Sequence, residues 1–334
     1  MTKEERLQFA EICSRDCSSL AGHHDAFRLL NALLYANPKR NERLYRYRSI
    51  SVYSLEELLF GYIYAGVATR FNDPLDCKPI VDRRELLSLY RGMYPEYEIS
   101  DTELAGELNE MADRNAKWFR EAAHVASLCE DYDNELMWSH YADSHKGFVL
   151  GYDIPKDPAN EVNQILYPVV YSNTPLSVCK DVATDVVQNC HAKQTGVPEK
   201  PITNNYWSYM TALFKRECWH YEKEWRLVKI YSLNGGDMPE HFRIFQRASV
   251  IYYGKDIDTN NEIRLHTYAL LNGLQEFKME YVYEDGEYRL KAMPYTSEFD
   301  DQCRNFINSN HKVLLHNRLV SAEKYLKEEE IKRN

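Results

Sequence analysis

The chain has 334 residues, 44% of them hydrophobic and 28% charged. That is enough apolar material for one large core or two ordinary ones, and it excludes a disordered or fibrous chain. The formal charge of −10 argues against general affinity for a nucleic-acid backbone, leaving only a local basic groove for such a role.

The first residues, MTKEERLQF, are charged, so no secretory signal is read there, and no apolar run approaches the ~18 residues of a membrane span. The eight cysteines, at 13, 17, 77, 129, 179, 190, 218 and 303, contain no CxxC pair. They read as reduced, mostly structural thiols of a cytoplasmic protein. Tyrosine is unusually abundant, at 26 residues. Its apolar body and polar tip serve a binding cleft or a core equally well.

In chain order, residues 3–36 show helical apolar spacing, and RLYRYRSI (43–50) reads as an aromatic strand. A helix is predicted from Ser54, with Ser54 and Glu57 forming a capping box. Asn72-Asp73-Pro74 is a turn signal, because a residue before proline avoids the helix and both polar side chains bond their own backbone. Residues 83–122 read as two helices broken near Pro95, and 124–130 as a short strand. NELMWSHYADSHKG (134–147) reads as a helix of about three turns ended by Gly147. FVLGYD and ILYPVVYS follow as strands. Residues 176–220 are largely helical with an interruption at 196–201, and the spacing of Trp207, Met210, Phe214, Cys218 and Tyr221 carries that helix to about 221. Strands are predicted at 224–231 and 247–254, a helix over NNEIRLHTYALLN, and a hairpin turning at Asp285-Gly286. The last thirty residues form a charged amphipathic helix. Elements interleave irregularly and the clear hairpin is antiparallel, so the fold class is α+β with a mixed or antiparallel sheet. The chain divides into an N-terminal helical extension (1–40), a single α+β domain (41–295) and a C-terminal helix (296–334).

Walker, GxGxxG, HExxH, GxSxG and kinase signatures are absent from the sequence. Four polar and aromatic clusters remain. In LYRYRS, Tyr45 and Tyr47 share one strand face and Arg46 and Arg48 the other. The two arginines either clamp a phosphate or form an exposed basic face. In RFNDPLD, Asn72, Asp73 and Asp76 either make a turn or edge a cleft. On the 134–147 helix, Met137, His140, Tyr141 and Ser144 share a face. There His140 can bond a hydroxyl or move a proton, or simply be satisfied by backbone. His140 and His145 do not share a helix face, so no metal site is predicted. In WHYEKEWRL, a strand begun by 222 would point Glu222, Glu224 and Arg226 to one side. That arrangement is a buried ion pair, or a catalytic Glu224 with Arg226 as its orienter.

LYRYRS, FNDPLD, LMWSHYADSHKGFVLGYD and WHYEKEWRL together resemble a bacterial family designated domain of unknown function 2971, over roughly residues 44–254. More distantly, their order resembles ADP-ribosyltransferases that modify nucleic acid, with Glu222-x-Glu224 matching their ExE motif. That resemblance implies an ADP-ribosyltransferase-like sheet core with helical insertions and NAD as substrate. It implies Glu224 as catalytic glutamate with Glu222 as the first glutamate of the motif; in the chemistry that follows, though not by match, His140 assists on a hydroxyl. Arg46 or Arg48 would lie on the pyrophosphate, and Tyr47, Asn72, Trp138, Tyr141 and Arg226 would complete the cofactor cleft. The acceptor would be a protein or a nucleic acid, and the setting a toxin or anti-phage effector. Two other readings stand beside it: a non-catalytic module binding a nucleotide or protein, and a metal-dependent hydrolase or nuclease built on Asp73, Asp76, Glu130 or Glu224.

Overall fold

The computed structural model describes residues 1–13, 43–78, 81–157, 159–173, 178–196, 211–230 and 241–333. Its elements begin with α1 (Lys3–Cys13), β1 (Arg43–Arg48), α2 (Val52–Phe60), β2 (Tyr62–Val67), α3 (Arg83–Met93) and α4 (Asp101–Ala122). They continue with β3 (Ala123–Cys129), α5 (Glu135–Tyr141), β4 (Phe148–Asp153), α6 (Glu161–Ile165), β5 (Leu166–Pro168), β6 (Val170–Tyr171), α7 (Val178–Thr195) and β7 (Phe214–Lys215). The remainder is β8 (Glu224–Ile230), β9 (His241–Phe245), β10 (Val250–Tyr253), α8 (Thr259–Asn272), β11 (Gln275–Glu284), β12 (Glu287–Pro294) and α9 (Asp300–Arg333). The protein is α+β, and its main sheet is mixed but mostly antiparallel; among the described residues, only β10 and β11 of that sheet run parallel. Among the described residues, no helix is long and apolar enough to cross a membrane.

The sheet forks at β3. One edge of β3 pairs with β8 along its whole length, from Ala123 opposite Ile230 to Cys129 opposite Glu224. The other edge is shared. β1 touches it only at Tyr45 opposite Cys129, and β2 only at Gly66 opposite Val125 and Val67 opposite His124. Beyond Tyr45, β1 therefore leaves β3 and continues with β4. The gap between the two arms is where a cavity opens.

Strand alternation sorts side chains to the two faces of this sheet. Leu44, Val125, Leu128, Leu150 and Trp225 join the larger core, while Tyr47, Cys129, Trp138, Val149 and Tyr252 form a second one. Burying such side chains stabilises the fold by roughly 1.5–3 kcal/mol each. A third cluster, with Leu86, Tyr90, Leu104, Leu108 and Val187, binds α3, α4 and α7 into a helical layer.

Several local expectations are corrected. The box that starts α2 is built of two serines: Ser51 Oγ accepts from Ser54 N at 3.2 Å, and Ser54 Oγ accepts from Ser51 N at 2.9 Å. Starting the helix three residues early frees Glu57 to turn inward, where it is 2% exposed. β2 and β9 replace stretches read without strands. The helix expected to reach 221 is instead β7 and a 3₁₀ turn, Glu217–Glu222, over its last part; Trp207 and Met210 lie outside the described residues, as does the rest of the first helical stretch beyond Cys13.

The helix at 134–147 is also shorter than expected. Asn134 caps it by accepting from Leu136 N and Met137 N, and it stops at Tyr141. Asp143, Ser144 and His145 then run consecutively left-handed, with φ of 49°, 52° and 67°. Each such residue costs roughly 1–2 kcal/mol, so neighbours must hold them. Gly147 N donates to Ala142 O at 2.8 Å, Asp256 N to His145 O at 3.1 Å, and Gly254 N to Gly147 O at 2.9 Å. The packing is close enough that a Cβ on Gly254 would lie 2.0 Å from His145 O. Gly254→Ala is expected to destabilise the protein by at least about 1–3 kcal/mol, read from the urea midpoint. An unchanged midpoint would mean that the turn can yield.

Candidate functional site

The cavity in the fork measures 520 Å³. Residues of five stretches line it: Tyr45–Arg48 of β1, Gly66–Asp76 from the end of β2 onward, Val125–Cys129 of β3, Met137–Tyr141 of α5, and Lys215 with Glu222–Arg226 around the start of β8. Its floor is a buried charge network. Arg226, 0% exposed, grips Asp76 at 2.7 Å through both oxygens, Glu224 Oε1 at 2.8 Å and Oε2 at 3.1 Å, and Ala212 O at 2.5 Å. Lys215 Nζ lies 2.5 Å from Glu222 Oε2 and 3.1 Å from Glu224 Oε2. Tyr141 donates its hydroxyl to Glu222 Oε1 at 2.7 Å.

The two glutamates differ in proton affinity. Arg226 and Lys215 hold the Glu224 carboxyl well below the usual carboxylate range against the opposing effect of its own burial. Burial and the neighbouring Glu224 charge push Glu222 up to about 7, although Lys215 and Tyr141 oppose this. Burial and Glu222 also raise the Tyr141 phenol. The floor thus presents one fixed carboxylate beside one that exchanges a proton near neutral pH. Such a pairing is common at reactive sites and also occurs in purely structural networks.

The start of β8 is held from behind as well. Glu224 N donates to the Tyr171 hydroxyl at 2.8 Å, and Arg6 of α1 donates to Glu224 O at 2.8 Å and Val169 O at 2.7 Å. Lys223 turns left-handed, φ 44°, which separates the 3₁₀ turn from the strand. Glu222 therefore reaches the floor from the turn, not from the strand face on which the sequence reading set it.

Of the residues singled out in the sequence, Arg46, Arg48, Tyr47, Asn72, His140, Tyr141, Glu222, Glu224 and Arg226 all line this cavity. Trp138 does not. It is fully buried, with its indole N–H given to Tyr132 O at 2.8 Å, so its ring cannot stack on a ligand. Arg46 lines the wall but its guanidinium is occupied in bridging the fork. It donates to Tyr64 O of β2 at 2.9 Å and Ser127 O of β3 at 3.3 Å, beside Glu57 at 3.4 Å. The hydrogen bonds absent between β1 and β2 are replaced by this side chain, which corrects its reading as a phosphate clamp. Arg226 is likewise saturated and orients carboxylates instead of meeting a ligand. Arg48, 2.9 Å from Glu57 and 22% exposed, is the first-strand arginine with more access to the cavity.

Asn72 serves its turn, accepting from Asp73 N at 2.9 Å, and also reaches the Tyr141 hydroxyl. His140 is exposed at the rim, with Nδ1 3.3 Å from the Tyr221 hydroxyl. Asp73 is structural. It accepts from Trp219 Nε1 at 2.9 Å and Leu75 N at 2.9 Å. Glu130 lies elsewhere, accepting from the N-terminal amine at 2.8 Å, Arg6 at 2.9 Å and Trp225 Nε1 at 2.8 Å. Sequence reasoning missed Lys215 and Arg70. Lys215 stood in a presumed helix, and only its nearness in sequence to the two glutamates could have drawn notice.

Residues 137–227 match the family model described as Protein of unknown function (DUF2971). This segment carries most of α5, Lys215 and the two glutamates, while β1 and the Arg70–Asp76 wall lie outside it. No curated protein and no solved structure matches the chain.

Proposed function

We propose that the protein cleaves the nicotinamide–ribose bond of NAD and passes the ADP-ribosyl group to an acceptor or to water. One observation carries the reading. Arg48, Tyr141, Glu222 and Glu224 come from stretches far apart in sequence, yet they line one cavity whose volume suits a small ligand. Cleavage of the ribosyl bond develops an oxocarbenium-like positive charge. Glu224, kept ionised by Lys215 and Arg226, is suited to stabilise that charge without reorganisation. Arg48 and Arg70 are the cations suited to the pyrophosphate, and Tyr45, Tyr47 and Tyr141 supply rings for the nicotinamide. A toxin or defence effector with a protein or nucleic-acid acceptor fits this chemistry.

The metal-dependent reading is less well supported. Asp76, Glu222 and Glu224 do converge, but on the ammonium of Lys215, and Asp73 and Glu130 hold structural partners. Under the binding-module reading the same cavity would hold a nucleotide or part of a protein partner and leave it intact. The purified protein is expected to release nicotinamide from NAD, and Glu224→Gln to slow release roughly 100-fold. Undiminished release by the variant, or none by the wild type with candidate acceptors present, would sink the proposal.

A further inference from the structure

The hairpin of β11 and β12 has one mostly apolar face and one mostly charged face. Its register sets Met279 opposite Ala292, Tyr281 opposite Leu290 and Tyr283 opposite Tyr288, all on the same side. The inner end of that row belongs to the second core, where Met279 and Leu290 are buried. The outer end is uncovered, with Tyr283 63% and Tyr288 71% exposed. Their rings lie 5.0 Å apart, tilted by 58°. The two-residue Asp285-Gly286 turn, with φ of 51° and 88°, fixes the strands that carry them. Tyr281, one step inward, shows what such a ring can hold. Its hydroxyl donates to Glu135 of α5 at 3.0 Å, and the Lys255 ammonium stands 5.6 Å from its ring centre, within the reach of a cation–π contact. Among the described residues, no cation stands over Tyr283 or Tyr288.

Carboxylates frame this row. At its inner end burial, Glu135 and Asp256 together push the Tyr281 phenol up. At the tip, residues 280–289 carry Glu280, Glu284, Asp285 and Glu287 against Arg289 alone. We infer that the tyrosine face is a docking surface for a lysine- or arginine-rich segment of a protein partner, whose cations would stand over Tyr283 and Tyr288 as Lys255 stands over Tyr281. Exposed rings in an acidic frame complement the charge of such a segment. A nucleic-acid strand or an anionic lipid surface would bring phosphates against these carboxylates, and the chain carries −10 overall. A symmetric pair of copies would set two acidic tips against each other. None of these tyrosines lines the cavity, so the inference does not rest on the NAD reading.

The test uses the full chain and, as the probe, a fluorescein-labelled peptide of alternating arginine and glycine, read by anisotropy at about 0.1 M salt. Saturable binding is expected, and Tyr283→Ser combined with Tyr288→Ser should weaken it roughly tenfold. That variant keeps the formal charge, so an unchanged affinity would mean attraction to net charge alone and would overturn the inference. No saturable binding by the wild type, or tighter binding of a single-stranded oligothymidine than of the peptide, would overturn it too. So would sedimentation of the wild type as a dimer that the variant does not form. A second measurement needs no variant. Saturating peptide should slow nitration of Tyr283 and Tyr288 by tetranitromethane roughly threefold or more and leave Tyr53 of α2, 54% exposed, unaffected. Equal slowing at all three tyrosines, or none at Tyr283 and Tyr288, would overturn it as well. Neither readout involves NAD, so the two proposals can fail separately.

Discussion

Arg226→Met is expected to lower the unfolding free energy by roughly 3–5 kcal/mol at neutral pH, the usual cost of removing one partner from a buried ion network. Methionine fills much of the same space, so the loss is mostly electrostatic. Asp76 would lose both short bonds, and Glu224 would lose Arg226 and keep Lys215 and Ser127. Urea unfolding of the two proteins at constant m-value measures it. The deficit should shrink in acid, where the stranded carboxylates take up protons, and Arg226→Met combined with Asp76→Asn should recover part of it. A deficit below about 1 kcal/mol would mean that water reaches these carboxylates and that the floor is not the closed network described.

Glu222→Gln is expected to remove most of the pH dependence of stability between about 4.5 and 7. Glu222 ionises near 7 in the folded protein against an ordinary 4.5. Below 4.5 it is protonated in both states and its contribution is fully present. Between the two values the unfolded chain has released the proton and the folded one has not, so stability falls as pH rises. The interval corresponds to about 3 kcal/mol. Glu224 works in the opposite direction, since its depressed value makes the fold lose stability only as pH drops below the ordinary carboxylate range. The pair together should give maximal stability near the lower end of the 4.5–7 window. Glutamine resembles the protonated form, so the falling limb should flatten in the variant. An unchanged limb would assign the exchanging proton to another group.

The parts of the fold set by local rules were legible in the sequence. Alternation in β1, the break near Pro95 between α3 and α4, and the Asp285-Gly286 hairpin each follow from residues a few positions apart. Elements whose identity depends on distant partners were not. β2 reads as the tail of a helix until β9 pairs with it, and β7 is too short to show a period. The clusters around the cavity were visible as sequence motifs, but their internal roles were not. Nothing in LYRYRS indicates that Arg46 spans a fork while Arg48 faces the opening, because both alternate identically. Nor does WHYEKEWRL disclose that Glu222 and Glu224 titrate so differently. That asymmetry depends on burial and on Lys215, Tyr141 and Ser127, which come from other stretches, together with Arg226 of the same strand.

The fork at β3 has a consequence for how the site comes into being. Its walls belong to separate arms that meet at β3 and through the Arg46 side chain, so the cavity is complete only when all of them are in place. An opening of the β1 arm, of the β2 arm or of the β8 arm each removes one of its walls. Any molecule that fits the cavity therefore acts as a clasp on all three at once. Occupancy would register as slower amide exchange in strands that never touch the ligand, which makes the stability of this fold a reporter for its own missing substrate.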